Sequence, residues 1–466
     1  MKEFKMRKIQ TLLTDKYQKN LFKPLKEQEF QKDVKEQEMQ LLMVYSDIKY
    51  HEIKGFGGAF TQSSAINFYQ MNESCQEEIL ESYFGESGLK YNYGRTHIAS
   101  CDFSNGHFGY TQKEDLSDFT IECDQDLLIP FIKKCESFAN KEIHLMSSPW
   151  SPPAFMKDSK GLLFGGKLLP EYYQAYADYF VKYIQAYKNE GIVVEMVSVQ
   201  NEPKAVQRWE SCIYTAEEEK IFIRDYLYPT LQQSGLEEVK IVIWDHNKER
   251  TFERARAIMS DEKTRKAVYG VGVHWYSGDH FENLRICKEF FPDKEIIFTE
   301  GCVELLAGAP TNLGGNETVV VSESPWEFGE RYAHDMIGNF NNGLSTMIDW
   351  NLILDSQGGP NHVGNYCSAP IIVDIKEQRV KYQPSFYFIG HFSKFIPEGS
   401  RKIAQSCYSK DLEVASFLTP SNEVVVVVLN STEKEIPFTL KDVMTQEISD
   451  FTALKKSIMT LVYQAK

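Results

Sequence analysis

The chain of 466 residues has no apolar run approaching the ~18 residues of a membrane-spanning helix. Its first twenty residues, MKEFKMRKIQTLLTDKYQKN, begin basic but never reach an apolar core, unlike a secretory leader. These two absences predict a cytoplasmic location and no stable membrane insertion. Positive charge is also scarce: 51 Lys and Arg against 66 Asp and Glu leave a formal net charge of −15. A surface of that sign disfavours nucleic acid and anionic lipid as partners. The nine cysteines are odd in number, scattered from Cys75 to Cys407, and form no CxxC pair, which argues against a disulfide framework or a zinc site. No histidine pair has HExxH spacing, so no metal is expected. No Gly-rich phosphate loop, internal repeat or low-complexity linker stands out.

Hydrophobic residues at 42% and charged residues at 25% mark an ordinary globular chain, long enough to bury a large core. From about residue 54 to 395, short apolar runs alternate with amphipathic stretches. The runs are GFGGAF (55–60), YNYGRTHIAS (91–100), EIHLMSS (142–148) and VVEMVSVQ (193–200). Four more follow: VKIVIWD (239–245), YGVGVHW (269–275), EIIFTE (295–300) and LSTMIDWN (344–351). Between them lie helical patterns, with Tyr172, Tyr176, Phe180 and Ile184 at four-residue spacing and Gly191 as a stop. Eight strands alternating with helices predict a (β/α)₈ TIM barrel over 51–395. A doubly wound sheet is the alternative, but it usually has fewer strands and opens on a phosphate loop. After residue 396 the pattern changes to LEVASFLTP, NEVVVVVLN and KEIPFTLKD, which predict a small antiparallel β-sandwich over 396–466. Within 1–50, MQLLMVYSD adds strands to that sandwich, while residues 1–35 read as a solvated helix or frayed arm.

Chemistry in such a barrel sits at the C-terminal ends of its strands. Those ends carry Ser100-Cys101-Asp102, Ser148-Pro149-Trp150, Gln200-Asn201-Glu202-Pro203 and Trp244-Asp245-His246-Asn247. The later ones carry His274-Trp275-Tyr276, Thr299-Glu300-Gly301 and Asp349-Trp350-Asn351. Four of the six tryptophans share this rim, and flat rings beside carboxylates and amides suit a pyranose. Glu202 and Glu300 form the pair able to cleave a glycosidic bond. A separation of about 5–5.5 Å would mean retention and about 6.5–9.5 Å inversion. A lone glutamate more often caps a helix or pairs with a cation. Two at strand ends, one in Asn-Glu-Pro and one directly after IIFT, favour chemistry.

Several stretches resemble glycoside hydrolase family 30, and most of all its glucosylceramidase branch. They are GFGGAFTQSSA, YNYGRTHIASCDFS, LMSSPWSPPAFMK, VSVQNEP, HWY, FTEGCV, WNLILDSQGGPNHVGNYCSAPIIVD and QPSFYFIGHFSKFIPEGS, in order over residues 50–403. The resemblance implies a retaining β-glucosidase with a barrel packed on a β-sandwich, acting in carbohydrate or sphingolipid metabolism. It assigns Glu202 as acid/base and Glu300 as nucleophile, with no cofactor. It also implies that Asp102 binds hydroxyls remote from the anomeric carbon, that Trp150 walls the glucose subsite and that Asn201 holds the 2-hydroxyl. Tyr276 would hydrogen-bond the nucleophile, His274 would flank the acid/base, Trp350 and Asn365 would complete the pocket, and Arg95 would support the glutamates.

Other readings stay open. Asp102 could N-cap a helix before FSNG, Trp150 and Trp350 could be core, and His274 a satisfied core histidine. His246 and His362 are open as substrate contacts. Gln62 replaces the branch's usual aspartate, and the stretches 204–215 and 303–330 diverge. The sequon Asn430-Ser431-Thr432 is expected to carry no glycan for want of a secretory route. Competing activities are a β-1,6-glucanase, β-xylosidase or β-fucosidase, or a carbohydrate-binding relative without catalysis.

Overall fold

The computed structural model describes residues 7–305 and 325–466. Each apolar run becomes a strand because period-2 side chains reach both the barrel interior and the surrounding helices. The strands are β1 (Gly55–Phe60), β2 (Tyr93–Ile98), β3 (His144–Pro149), β4 (Val194–Ser198), β5 (Lys240–Asn247), β6 (Val268–His274), β7 (Glu295–Glu300) and β8 (Leu344–Asn351). They pair in parallel, each with the next, and β8 closes on β1. Inside, Tyr93, Met146, Met196, Val242, Ile297 and Ile348, one from each of six strands, fill a layer as in other eight-stranded barrels. Gly57 permits the closure of β1 on β2, since a Cβ there would stand 2.0 Å from the Tyr93 carbonyl oxygen. The tyrosine-rich helix Tyr173–Asn189 buries Tyr176, Phe180 and Ile184; Tyr172 precedes it in a short 3₁₀ turn.

The second body is an eleven-stranded sheet drawn from both chain ends. Its pairings are antiparallel except one: Thr439–Asp442 runs parallel to Leu41–Val44. The long strand Leu41–Ile53 leads almost directly into β1. Between Glu423 and Asn430 the strand is apolar throughout because both of its faces are covered. Val424, Val426 and Val428 enter the sandwich core, whereas Val425, Val427 and Leu429 pack with the barrel core. His391 links the two bodies: its ring nitrogens lie 2.9 Å from the hydroxyls of Thr14 and Thr460.

Residues 1–6 lie outside the described residues; from residue 7 on, the reading of residues 1–35 as a solvated helix or frayed arm is corrected. Lys8–Asp15 is a strand paired with Ser457–Gln464, and its alternate residues Ile9, Thr11 and Leu13 are buried. Polar residues on the outer face masked that alternation. Asn430 is fully buried and donates its amide to the carbonyls of Lys434, Ala453 and Leu454, so the sequon side chain is engaged in the fold. Among the described residues no helix is long and apolar enough to cross a membrane.

Candidate active site

Strands β2, β3, β4, β5, β6 and β7 converge on one buried polar network, with Asp245 at its centre. At Oδ2 this carboxylate accepts from Arg95 (2.9 Å), Ser148 (2.9 Å) and Ser198 (2.6 Å). At Oδ1 it accepts from Thr299 (2.6 Å) and faces His274 Nε2 (3.2 Å). A bulge in β5 aims it inward, with Trp244 and Asp245 at φ +70° and +49°. Arg95, fully buried, spends its remaining donors on Glu300 Oε2 (2.6 Å), Asn201 Oδ1 (2.8 Å) and Ser148 Oγ (3.2 Å). The geometry therefore turns one guanidinium into a fork that fixes β3, β4, β5 and β7 relative to one another.

The two glutamates sit in different surroundings. Glu300 Oε1 accepts from the Tyr276 hydroxyl at 2.9 Å, so both of its oxygens carry donors. Glu202 Oε1 faces His274 Nδ1 at 3.1 Å, with His246 Nδ1 at 3.7 Å. Glu202 adopts φ +50°, and its N–H donates to the Asp245 carbonyl, a strained backbone of the kind that collects at functional sites. Burial would lower the pKa of His274. The charge of Glu300 and the bonds to Asp245 and Glu202 outweigh it and raise the pKa to about 9. Burial likewise would raise Glu202, but the charges of His246 and His274 and the His274 hydrogen bond bring it below the usual carboxylate range. Glu300 is raised: burial leads, the charge of Glu202 adds to it, and His274, Arg95 and Tyr276 only partly oppose. Asp245 is held far below the usual range because Arg95 and His274 overcome its burial.

Both glutamates line a cavity of about 280 Å³ with Asp102, Trp150, Asn201, Tyr276, Trp350 and Asn365. Asn365 donates to Asp102 at 2.8 Å, and the turn after Asp102 is not a helix, so the N-cap reading of Asp102 is set aside. Burial raises the Asp102 carboxyl well above its usual range. The Trp150 and Trp350 rings stack at 5.4 Å and 26°, with the Arg95 guanidinium 4.8 Å and 5.6 Å from their centroids. Arg95 and His274 support the cavity from behind rather than lining it.

The other two rim tryptophans do something else. Trp244 and Trp275 are buried and donate to the carbonyls of Asn247 and Cys302. Instead, Trp209 and Gln207 from the divergent stretch 204–215 join the cavity, as do His246 and Glu304. Of the stretch 303–330, residues 306–324 lie outside the described residues. His362 does not line the cavity but faces His107, and Gln62 ties the loop after β2 through Asn105. Sequence reading passed over Asp245 as one rim residue among many; its run of polar neighbours, Ser148, Ser198 and Thr299 inside apolar strands, was the available signal. Two clusters among the described residues offer converging metal-ligand atoms: Glu202–His246–His274 and His107–Glu210–His362. In the first, both His274 nitrogens already face carboxylates.

A barrel mouth with two carboxyl groups over stacked tryptophans is the site of a glycoside hydrolase. Residues 53–396 match the glycosyl hydrolase family 30 TIM-barrel domain and residues 399–461 that family's beta sandwich domain, and the chain belongs to this family. It is similar to lysosomal acid glucosylceramidase of Mus musculus, 34% identical over 86% of this chain and 79% of that protein. It is also similar to putative glucosylceramidase 3 of Caenorhabditis elegans, 38% identical over 76% of this chain and 69% of that one. Among solved structures, SrfJ from Salmonella typhimurium is 35% identical with a TM-score of 0.91, covering 98% of this chain and 100% of that chain. An endo-β1,6-glucanase at 24% identity and TM-score 0.84, covering 98% and 99%, shares the fold.

Proposed function

We propose that this glycoside hydrolase is a β-glucosidase of the glucosylceramidase type, working by double displacement with Glu300 as nucleophile and Glu202 as acid/base. The observation that carries the reading is the unequal solvation of the two carboxyl groups. Glu300 has a donor on each oxygen, Arg95 at 2.6 Å and Tyr276 at 2.9 Å, which orients it as an anion for attack. Among the described residues, Glu202 has one oxygen toward His274 and no hydrogen-bond donor on Oε2, which suits that oxygen to serve a leaving group and then water.

In the free site the two carboxyl groups feel each other's charge and share His274 as a counter-charge. Double displacement needs one proton on the pair, and interacting groups titrate as a pair. The substrate decides its address. The glycosidic oxygen is a base beside Glu202, and the positive anomeric centre that develops in the transition state favours an anionic Glu300.

Asp102 and Asn365, paired on the cavity wall, are suited to the distal sugar hydroxyls; Asn201, steadied by Arg95, to the 2-hydroxyl; and Trp150 and Trp350 to the ring face. The cavity, about 280 Å³ among the described residues, suits one sugar unit better than a polysaccharide cleft. No organic cofactor enters the scheme. The test is a panel of aryl β-glycosides plus glucosylceramide, with NMR of the first anomer released. β-Glucose released faster than xylose or fucose supports the reading; an α-anomer as first product refutes double displacement. Glu202→Ala is expected to slow poor leaving groups far more than activated phenols, and azide to restore turnover as a β-glucosyl azide. Glu300→Gln is expected to lose turnover on all of them.

A further inference from the structure

Loops after β2, β4 and β8 bring together three residues that no local spacing connects: His107, Glu210 and His362. None of them lines the sugar cavity, yet the same loops carry Asp102, Trp209 and Asn365, which do. The hydrogen bonds assign the tautomers. His362 Nδ1 lies 2.8 Å from the Ser104 carbonyl oxygen, which can only accept, so Nδ1 carries a proton, and in the neutral ring Nε2 carries a lone pair. That lone pair faces His107 Nδ1 at 3.2 Å, and the rings meet edge to face at 82°. His107 Nδ1 is in turn 2.8 Å from Glu210 Oε1. A single hydrogen on His107 Nδ1 therefore stands between a nitrogen lone pair and a carboxylate.

Glu210 is only 2% exposed. Its Oε1 also accepts from the Ser100 hydroxyl, while its buried Oε2 has no protein partner. A buried carboxylate with an orphan oxygen is costly unless something else satisfies it. When the His107 proton moves to Nε2, the ring's other tautomer, lone pairs from two imidazoles and one carboxylate converge. All three ligand atoms lie within 4.8 Å of one another. Tetrahedral zinc with bonds of about 2.0–2.1 Å needs ligand atoms about 3.3 Å apart. Two of the three separations, His107 Nδ1 to Glu210 Oε1 at 2.8 Å and to His362 Nε2 at 3.2 Å, differ from that by about half an ångström or less, and the third lies within 4.8 Å. The bond from His362 Nδ1 to a backbone carbonyl is the outer contact that ordinarily fixes a metal-binding histidine, and the Ser100 bond to Glu210 is its counterpart on the carboxylate.

We propose that His107, Glu210 and His362 bind one divalent cation of the zinc class, clasping the loops after β2, β4 and β8 beside the sugar pocket. Two imidazoles and a carboxylate are borderline ligands that select zinc or cobalt over calcium and magnesium. The site is separate from the carboxyl pair, and its role is to hold loops, with a fourth position left for water.

The test is titration of chelator-treated full-length protein with Co²⁺, read by visible d–d absorption, and with Zn²⁺, read by calorimetry and thermal unfolding. The expected result is one Co²⁺ per chain with tetrahedral-type absorption, displaced by Zn²⁺, and a Zn²⁺-dependent rise in unfolding temperature. His107→Ala and His362→Ala, both at accessible positions, should each weaken binding by about 100-fold or more, since loss of an outer-shell partner alone costs 10- to 100-fold. Glu210→Gln tests the buried ligand, and the two histidine variants decide the matter if it fails to fold. No stoichiometric uptake of either metal would overturn the proposal. So would uptake that survives both histidine variants and disappears in His246→Ala, because that places the cation on Glu202, His246 and His274.

Discussion

Replacing Tyr276 by Phe removes one oxygen and keeps the ring. The lost hydroxyl donates to Glu300 Oε1 at 2.9 Å, while Arg95 still holds Oε2 at 2.6 Å. Glu300 thus keeps its position and loses half of its donors. A hydrogen bond to a charged group contributes about 1.5–3 kcal/mol, and 1.36 kcal/mol is tenfold in rate, so kcat/KM should fall about 10- to 150-fold. The loss should lie in kcat, because Tyr276 steadies the carboxylate rather than gripping the sugar. A pH signature accompanies it. The Tyr276 bond lowers the Glu300 pKa against the burial that raises it. Without that bond the carboxyl is protonated over a wider range, so the acid limb of kcat/KM moves to higher pH and the deficit is largest under acidic conditions. The assay is a pH series with an activated aryl β-glucoside, whose phenol departs without help from Glu202. A fall of less than about threefold with an unmoved acid limb would refute the idea that this hydroxyl holds the nucleophile ionised.

Asp245→Asn should cost about 3–5 kcal/mol of stability by denaturant titration, since it leaves the buried Arg95 and His274 short of their counter-charge; it should also lower the His274 pKa, read by NMR of the imidazole. An unchanged His274 titration would contradict the network. His391, with a folded pKa pushed down to about 3 by burial against 6.5 when free, stabilises the fold above pH 6.5, and that contribution is lost as pH falls toward 3. His391→Gln lacks this term, so its stability deficit relative to wild type should shrink by about 2 kcal/mol between pH 7 and pH 5 in urea melts. Val426→Ala in the sandwich core should cost about 2–3 kcal/mol, visible as a lower urea midpoint, whereas the exposed Val34→Ala should cost less than about 0.5.

The barrel was legible because each strand carries its own signal. GFGGAF, EIIFTE and LSTMIDWN coincide with β1, β7 and β8, since fully covered strands must be apolar on both faces and glycine must sit where strands approach closely. The sandwich was legible at its C-terminal end and in MQLLMVYSD, but not in the first strand. The strand Lys8–Asp15 pairs with residues more than 440 positions away, and it mixes exposed Lys8 and Gln10 with buried polar Thr11, Thr14 and Asp15, so its KIQTLLTD pattern resembles a polar helix start as much as a strand. The single parallel pairing of Thr439–Asp442 with Leu41–Val44 left no local mark, because pairing direction is a property of two segments rather than of one.

The site divides along the same physical line. Residues whose motif is local, such as Asp102, Asn201, Glu202 and Glu300, could be picked from strand ends, and all four line the cavity. Residues whose importance depends on a partner could not. Asp245 faces the barrel centre only because the bulge gives Trp244 and Asp245 positive φ, and its charge is tolerated in the core only because Arg95 and His274 arrive from two other strands. The same holds for Glu210, which lies in one of the two stretches that diverge from the family. A buried carboxylate in a divergent loop is conspicuous only once Ser100, His107 and His362 have been folded against it. An ionisable group moved from water into a core must be neutralised, paired or ligated. Partner residues, not neighbours in sequence, therefore determine what each buried carboxylate does: Asp245 orders the surroundings of Glu202 and Glu300 because Arg95 and His274 meet it, and Glu210 faces the imidazole of His107, with that of His362 beyond it.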